Sequence, residues 1–216
     1  MNKRFKLLIF DWDGTIMDSE PKIVSCFQRA IAQLGFENRT PQQVRHMIGL
    51  GLKQAAQQLY PELNEQQRDD LVVTYKHYFF EESNVPTPLY PGVFDIIHQL
   101  HEAGYLLAVA TGKSRRGLDR VMVESQLGHL FLTTRSAEET ASKPDPLMLH
   151  EILEELDISH EDAVMIGDTE YDLQMAHHAN MASIAVTYGV HSKTHLEQCC
   201  QPVAWVDDFS ELSQHL

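Results

Sequence analysis

Short apolar runs at 6–10, 105–111, 131–135, 163–167, 182–187 and 203–205 punctuate this chain, and helical patterns fill most of the intervals. The longer runs are continuous rather than alternating, which is the pattern of strands buried on both faces. Val93, Ile96, Ile97 and Leu100 share one helical face before Gly104. Leu118, Val121 and Met122 mark the next helix, and Leu147, Leu149, Ile152, Leu153 and Leu156 a third. Strands alternating with helices of this length predict an α/β fold, a parallel sheet with helices on both faces.

The interval between the first two strands breaks the rhythm. Residues 18–83 carry no strand pattern. Ile23, Phe27, Ala30, Ile31 and Leu34 repeat at helical spacing, and Gly35 closes that segment. Thr40, Pro41 and Gln43 form a capping-box start, and the stretch NEQQ at 64–67 opens another helix. Tyr75, Tyr78 and Phe79 are read as its packed face rather than as a binding stripe. The prolines of VPTPLYPG, 85–92, end the helical region. Two units are expected: a core from 1–15 and 89–216, and a helical domain, 16–88, inserted after the first strand. The connections TIMDSE and NVPTPLYPG would form a two-stranded hinge.

A length of 216 residues accommodates both units. The net charge of −14 argues against nucleic acid or an anionic membrane surface as partner. An anionic small molecule would need a locally cationic pocket. Cys26, Cys199 and Cys200 offer no CxxC spacing, which suits a reducing cytoplasm better than a disulfide framework or a zinc site. The basic N-terminal start leads into an apolar run too short for a signal peptide, and no run is long enough to span a membrane.

Ligands of open parallel sheets bind beyond the carboxyl ends of the strands. The unusual residues of this chain fall there. Asp11 and Asp13 follow the first strand, Thr111 and Gly112 the second, Lys143 the third, and Asp168 and Asp172 the fourth. Adjacent carboxylates at the end of a buried strand are costly unless a cation accompanies them. Alone, each residue has a bland reading: a turn aspartate, a strand-end threonine, a solvated lysine, a helix cap.

The stretches DWDGT, VATGK, SKPDP and GDTEYD together resemble the four motifs of the haloacid dehalogenase superfamily, in its phosphoglycolate phosphatase-like branch. Trp12 stands where an aliphatic residue is usual. The resemblance implies a Rossmann-like core with a helical cap. It also implies a cytoplasmic, Mg²⁺-dependent phosphomonoester hydrolase, monomeric or homodimeric, acting on a small phosphorylated metabolite such as phosphoglycolate. Asp11 would be the nucleophile, forming an aspartyl phosphate, and Asp13 the general acid and base. Asp11 and Asp168 would hold Mg²⁺ by side chain, Asp13 by its backbone carbonyl, and Asp172 through water. Thr111, Gly112 and Lys143 would receive the phosphate. The residue types suit these tasks: a carboxylate is ionised at neutral pH and needs no base to attack, and Mg²⁺ favours a few carboxylate oxygens.

Specificity would then reside in the insert. Gly49 and Gly51 in RHMIGLGLK are expected to break the helix into a loop facing the core, with Arg45 or Lys53 reaching a second anionic group. Glu20 and Lys113 are further candidate contacts. A β-phosphoglucomutase-like phosphoryl transferase would use the same core with a water-excluding cap. A catalytically silent phospho-ligand-binding module would keep the fold but is disfavoured by the complete motif set. His191 and His195 have a metal-compatible i, i+4 spacing but no third ligand near them in the sequence, so they are not read as a site.

Overall fold

The computed structural model describes residues 4–216, so the first three residues of the basic start lie outside it. From the N-terminus the elements are β1 (Leu7–Phe10), α1 (Glu20–Leu34), α2 (Pro41–His46), α3 (Leu52–Leu59), α4 (Glu65–His77) and α5 (Val93–Glu102). There follow β2 (Leu106–Thr111), α6 (Arg115–Glu124), β3 (Thr133–Ser136), α7 (Leu147–Leu156) and β4 (Ala163–Gly167). The chain ends with α8 (Glu170–His178), β5 (Ala182–Val186), α9 (Lys193–Cys199) and β6 (Ala204–Val206). The strands form one parallel, Rossmann-like sheet in the order β3-β2-β1-β4-β5-β6.

Successive side chains of β1 point to opposite faces of this sheet, and both faces are covered. Leu8 and Phe10, with Trp12 beyond them, pack against Val93, Ile97 and Leu118 from α5 and α6. Leu7 and Ile9 pack against Met148, Ile152, Met175 and Ala176 from α7 and α8. All four strand residues are fully buried, which is why the run reads as uniformly apolar. β3 begins two residues later than expected. Phe131 follows a short 3₁₀ turn and sets its ring edge-on to Phe10, 6.2 Å away, rather than joining the ladder.

The region between β1 and α5 is helical. α1 ends at Gly35 with φ 66°, a left-handed cap that glycine adopts without steric cost. The capping boxes at Thr40–Gln43 and Asn64–Gln67 both form. α2 stops at His46, and a turn with Gly49 at φ 103° leads into α3. α4 continues into a π-helical turn, Tyr78–Glu82. The helices bury Phe27, Ile31, Leu71 and Tyr75 among themselves, with Phe27 stacked on Tyr75 at 4.2 Å. Tyr171 and Val190, from the sheet side, join this cluster and seat the helices on the carboxyl edge of the strands. The two connections run side by side: Asp18 N donates to Pro88 O at 2.8 Å, and Tyr90 N to Ile16 O at 3.1 Å.

Trp12 is completely buried, its ring centroid 6.0 Å from that of Phe131, and its indole N–H has no hydrogen-bond partner. The unusual tryptophan therefore works as core. Trp12→Ala should cost about 3–5 kcal/mol in urea unfolding. Trp12→Phe should cost clearly less, because the smaller ring also removes an unsatisfied buried donor.

Candidate active site

β1 and β4 are neighbours at the point where the sheet order reverses, the crevice where open α/β sheets bind ligands. Asp11 leaves β1 with its backbone N–H still bonded to Ile166 O, 2.9 Å. Its Oδ1 accepts from Trp12 N at 2.6 Å and from Lys143 Nζ at 2.9 Å. Its Oδ2 is buried and has no partner. Asp168 leaves β4 and accepts from Thr15 Oγ1 and from Val190 N, each at 2.8 Å. Asp172, in the first turn of α8, has both oxygens engaged: Oδ1 by Lys143 Nζ at 2.6 Å, Oδ2 by Thr169 N at 3.0 Å and Thr169 Oγ1 at 2.7 Å.

Lys143 thus lies between an aspartate at the end of β1 and one in α8, fully enclosed. Asp13 is held by Ser19 Oγ at 2.5 Å and Lys113 Nζ at 2.8 Å. Thr111 is buried at the end of β2, its Oγ1 accepting from Lys113 N at 3.2 Å. Gly14, at φ 89°, has Asp168 where a Cβ would stand, so the turn after β1 must be this close to β4. Gly112 faces the backbone carbonyls of Gly49 and Leu50, which a side chain would strike. Its lack of a side chain is used first by the approach of the 47–51 turn.

Burial raises the Asp11 carboxyl to about 7, Lys143 pulling against it and Asp172 pushing with it. Burial, with Asp172 and Asp11 adding to it, raises Asp168 well above the ordinary carboxylate range. Burial opposes the Lys143 ammonium, but Asp11 and Asp172 outweigh it and hold its pKa above the ordinary value. Four carboxylates here face two lysines, an excess of two negative charges. Asp11, Asp168 and Asp172 bring oxygens within 4.8 Å of one another, and Asp11 Oδ2 is the one carboxylate oxygen of the three residues with no hydrogen-bond partner. The donor set is all oxygen, so a hard divalent cation fits it.

The structure gathers Asp11, Asp13, Thr111, Gly112 and Lys113 around one crevice, with Lys143, Asp168 and Asp172 directly behind Asp11. It does not bring Arg45, Lys53 or Glu20 there. Arg45 and Glu20 pair with each other at 2.6 Å, and Lys53 is an exposed lysine 4.0 Å from Asp69. Their helices turn these faces outward. Tyr75 and Phe79 are core, as expected, but they also line the crevice, because α4 and its π-helical turn run along it. Ile23, Phe27, Met47 and Leu50 complete this apolar wall. Sequence reading overlooked Thr15, Ser19 and Thr169, hydroxyls that hold the aspartates. Thr15 and Thr169 sit inside the quoted motifs, and that position was the available signal.

Residues 8–186 match the haloacid dehalogenase-like hydrolase family, and the chain belongs to it. It is therefore a member of a hydrolase family built on this sheet. A phosphoglycolate phosphatase of Aliivibrio fischeri is 30% identical, the match covering 98% of this chain and 96% of the relative. The phosphoglycolate phosphatase of Vibrio cholerae is also 30% identical, over 87% of this chain and 86% of its own. A haloacid dehalogenase-like family hydrolase from Streptococcus pneumoniae shares the fold, with a TM-score of 0.85 over 98% of each chain at 23% identity. Among the described residues no helix is long and apolar enough to cross a membrane.

Without a cation, Asp11 keeps a proton up to about pH 7 that the unfolded chain releases near pH 4. Its contribution to stability is therefore full below about pH 4 and is lost as pH rises toward 7. A divalent cation must displace that proton. The thermal shift produced by adding Mg²⁺ should accordingly grow from pH 5.5 to pH 8, by about the range over which Asp11 titrates. Differential scanning fluorimetry with and without the ion checks this, and a shift independent of pH would contradict it.

Proposed function

We propose that the chain is a Mg²⁺-dependent phosphomonoester hydrolase working through an aspartyl phosphate on Asp11. The observation that carries this reading is the free Oδ2 of Asp11, buried beside carboxylates in excess of lysines at the sheet's reversal point. Asp11, Asp168 and the Asp13 backbone carbonyl would hold Mg²⁺, which would neutralise charge on the phosphoryl oxygens and on the nucleophile. Asp172 fixes Lys143 and Thr169 with its two oxygens and would reach the ion through water. The helical region 16–88 acts as a cap over the core formed by 1–15 and 89–216.

One oxygen of Asp11 attacks phosphorus, while Lys143 and Trp12 N hold the carboxylate in position. The Thr111 hydroxyl donates to a phosphoryl oxygen. Lys113 neutralises Asp13 in the free protein. An incoming phosphate competes for that ammonium and frees the carboxyl to carry a proton. Asp13 then protonates the departing alkoxide and afterwards takes a proton from the water that cleaves the aspartyl phosphate. Ser19 keeps Asp13 aimed through both steps.

The relatives' names make phosphoglycolate the first ester to consider. The crevice wall favours another kind. Its cap side is Ile23, Phe27, Met47, Leu50, Tyr75 and Phe79, and the lysine along it, Lys76, is paired with Glu138 at 2.6 Å. A leaving group with an apolar body fits this wall better than one bearing a second anionic group, whose burial there would need a cation. A panel of phosphate esters assayed with Mg²⁺ should give higher kcat/KM for small aryl or alkyl phosphates than for phosphoglycolate. The reverse order would return the assignment to phosphoglycolate. Asp11→Asn should lower kcat by at least about 10³-fold, and undiminished turnover would refute the mechanism.

A further inference from the structure

The histidine pair set aside in the sequence acquires partners in the fold. His46, at the end of α2, and His195, in the first turn of α9, both direct Nε2 at Oε1 of Glu170, the first residue of α8. The separations are 3.5 and 3.3 Å. With His191 the four groups bring one ligand atom each within 4.8 Å of one another. The three imidazoles are packed as a unit: His46 and His191 stack at 4.9 Å, and His195 stands nearly perpendicular to both. His195 Nε2 is buried without a properly directed hydrogen bond. The Glu170 contact is close in distance but poor in angle.

These spacings are long for a charge-assisted hydrogen bond, which is about 2.7–2.9 Å. They match the ligand-to-ligand separation of a tetrahedral ion, about 3.3 Å when the bonds are 2.0–2.1 Å. His191 is less free to coordinate. Its Nδ1 accepts from Glu170 N at 3.2 Å, and its Nε2 lies 3.3 Å from His46 O.

We propose that His46, His195 and Glu170 form a binding site for a zinc-class transition-metal ion, separate from the acidic crevice. Two imidazoles and a carboxylate leave one position for water, or for His191 if it gives up a backbone bond. Imidazole donors favour Zn²⁺, Co²⁺ or Ni²⁺ over Mg²⁺, so the two ions would sort between the two sites. The partial exposure of His46 and His195 gives an ion a route in. The ligands also come from both sides of the crevice. His46 directly precedes the turn whose Ile48, Gly49 and Leu50 line it, while Glu170 and His195 belong to the sheet side. A bound ion clasps the cap's end of α2 to the core.

Isothermal titration with Zn²⁺, in excess Mg²⁺ to occupy the acidic crevice, tests the site on the full chain. One Zn²⁺ per chain is expected. His46→Ala and His195→Ala should each weaken it at least about 10-fold, and Asp168→Asn and Cys199→Ser should leave it unchanged. The wild-type protein with Co²⁺ gives a readout independent of variant folding: an intense visible spectrum of a tetrahedral nitrogen and oxygen site. Absence of binding, binding insensitive to the two histidine variants, loss confined to Asp168→Asn or Cys199→Ser, or a weak octahedral Co²⁺ spectrum would each overturn the proposal.

Discussion

One enclosed ammonium organises the crevice. Lys143 reaches Asp11 at 2.9 Å and Asp172 at 2.6 Å, tying the end of β1 to the start of α8. An ion pair removed from water is expensive, and its attraction offsets the cost only when every remaining polar atom is satisfied. Here Trp12 N adds a bond to Asp11 Oδ1, Thr169 N and its hydroxyl satisfy Asp172 Oδ2, Lys143 itself takes Asp172 Oδ1, and Asp11 Oδ2 is the exception. The lysine does not balance Asp168 as well, so the carboxylates resist ionisation in its neighbourhood. An arrangement so dependent on an added positive charge is poorly suited to be structure alone.

The helices that cover the crevice are fitted to the same edge. The 47–51 turn places its carbonyls against Gly112, and Gly51 N donates to Ser142 Oγ at 2.8 Å, beside Lys143. Tyr171 Oη reaches His46 O at 2.9 Å, next to the end of α2. Each contact joins the helical region to a segment that carries an aspartate, threonine or lysine of the crevice. The same region supplies the apolar wall through Phe27, Tyr75 and Phe79, so packing of the helices and lining of the crevice draw on the same side chains.

The sheet was legible in the sequence because both its faces are buried, and burial forces apolar runs such as Leu7–Phe10. The acidic crevice was legible because each of its residues sits at a strand exit. What escaped was whatever depends on side-chain direction. Arg45 and Lys53 carry the right charge, but their helices turn them to solvent or to Glu20 and Asp69. Ser19 looks like an ordinary turn residue until its hydroxyl is seen on Asp13. His46 and His195 are far apart in the chain, and only the seating of α2 against α8 and α9 brings them to Glu170.

The central claim is that Asp11 takes the phosphoryl group. Rapid acid quench during turnover of a phosphate ester with Mg²⁺, followed by peptide mass spectrometry, reads this directly. A phosphoryl group on the peptide 6–20, located at Asp11, is the predicted result. Product release within a single turnover with no phosphorylated peptide, or with the phosphoryl group on another residue, would contradict it.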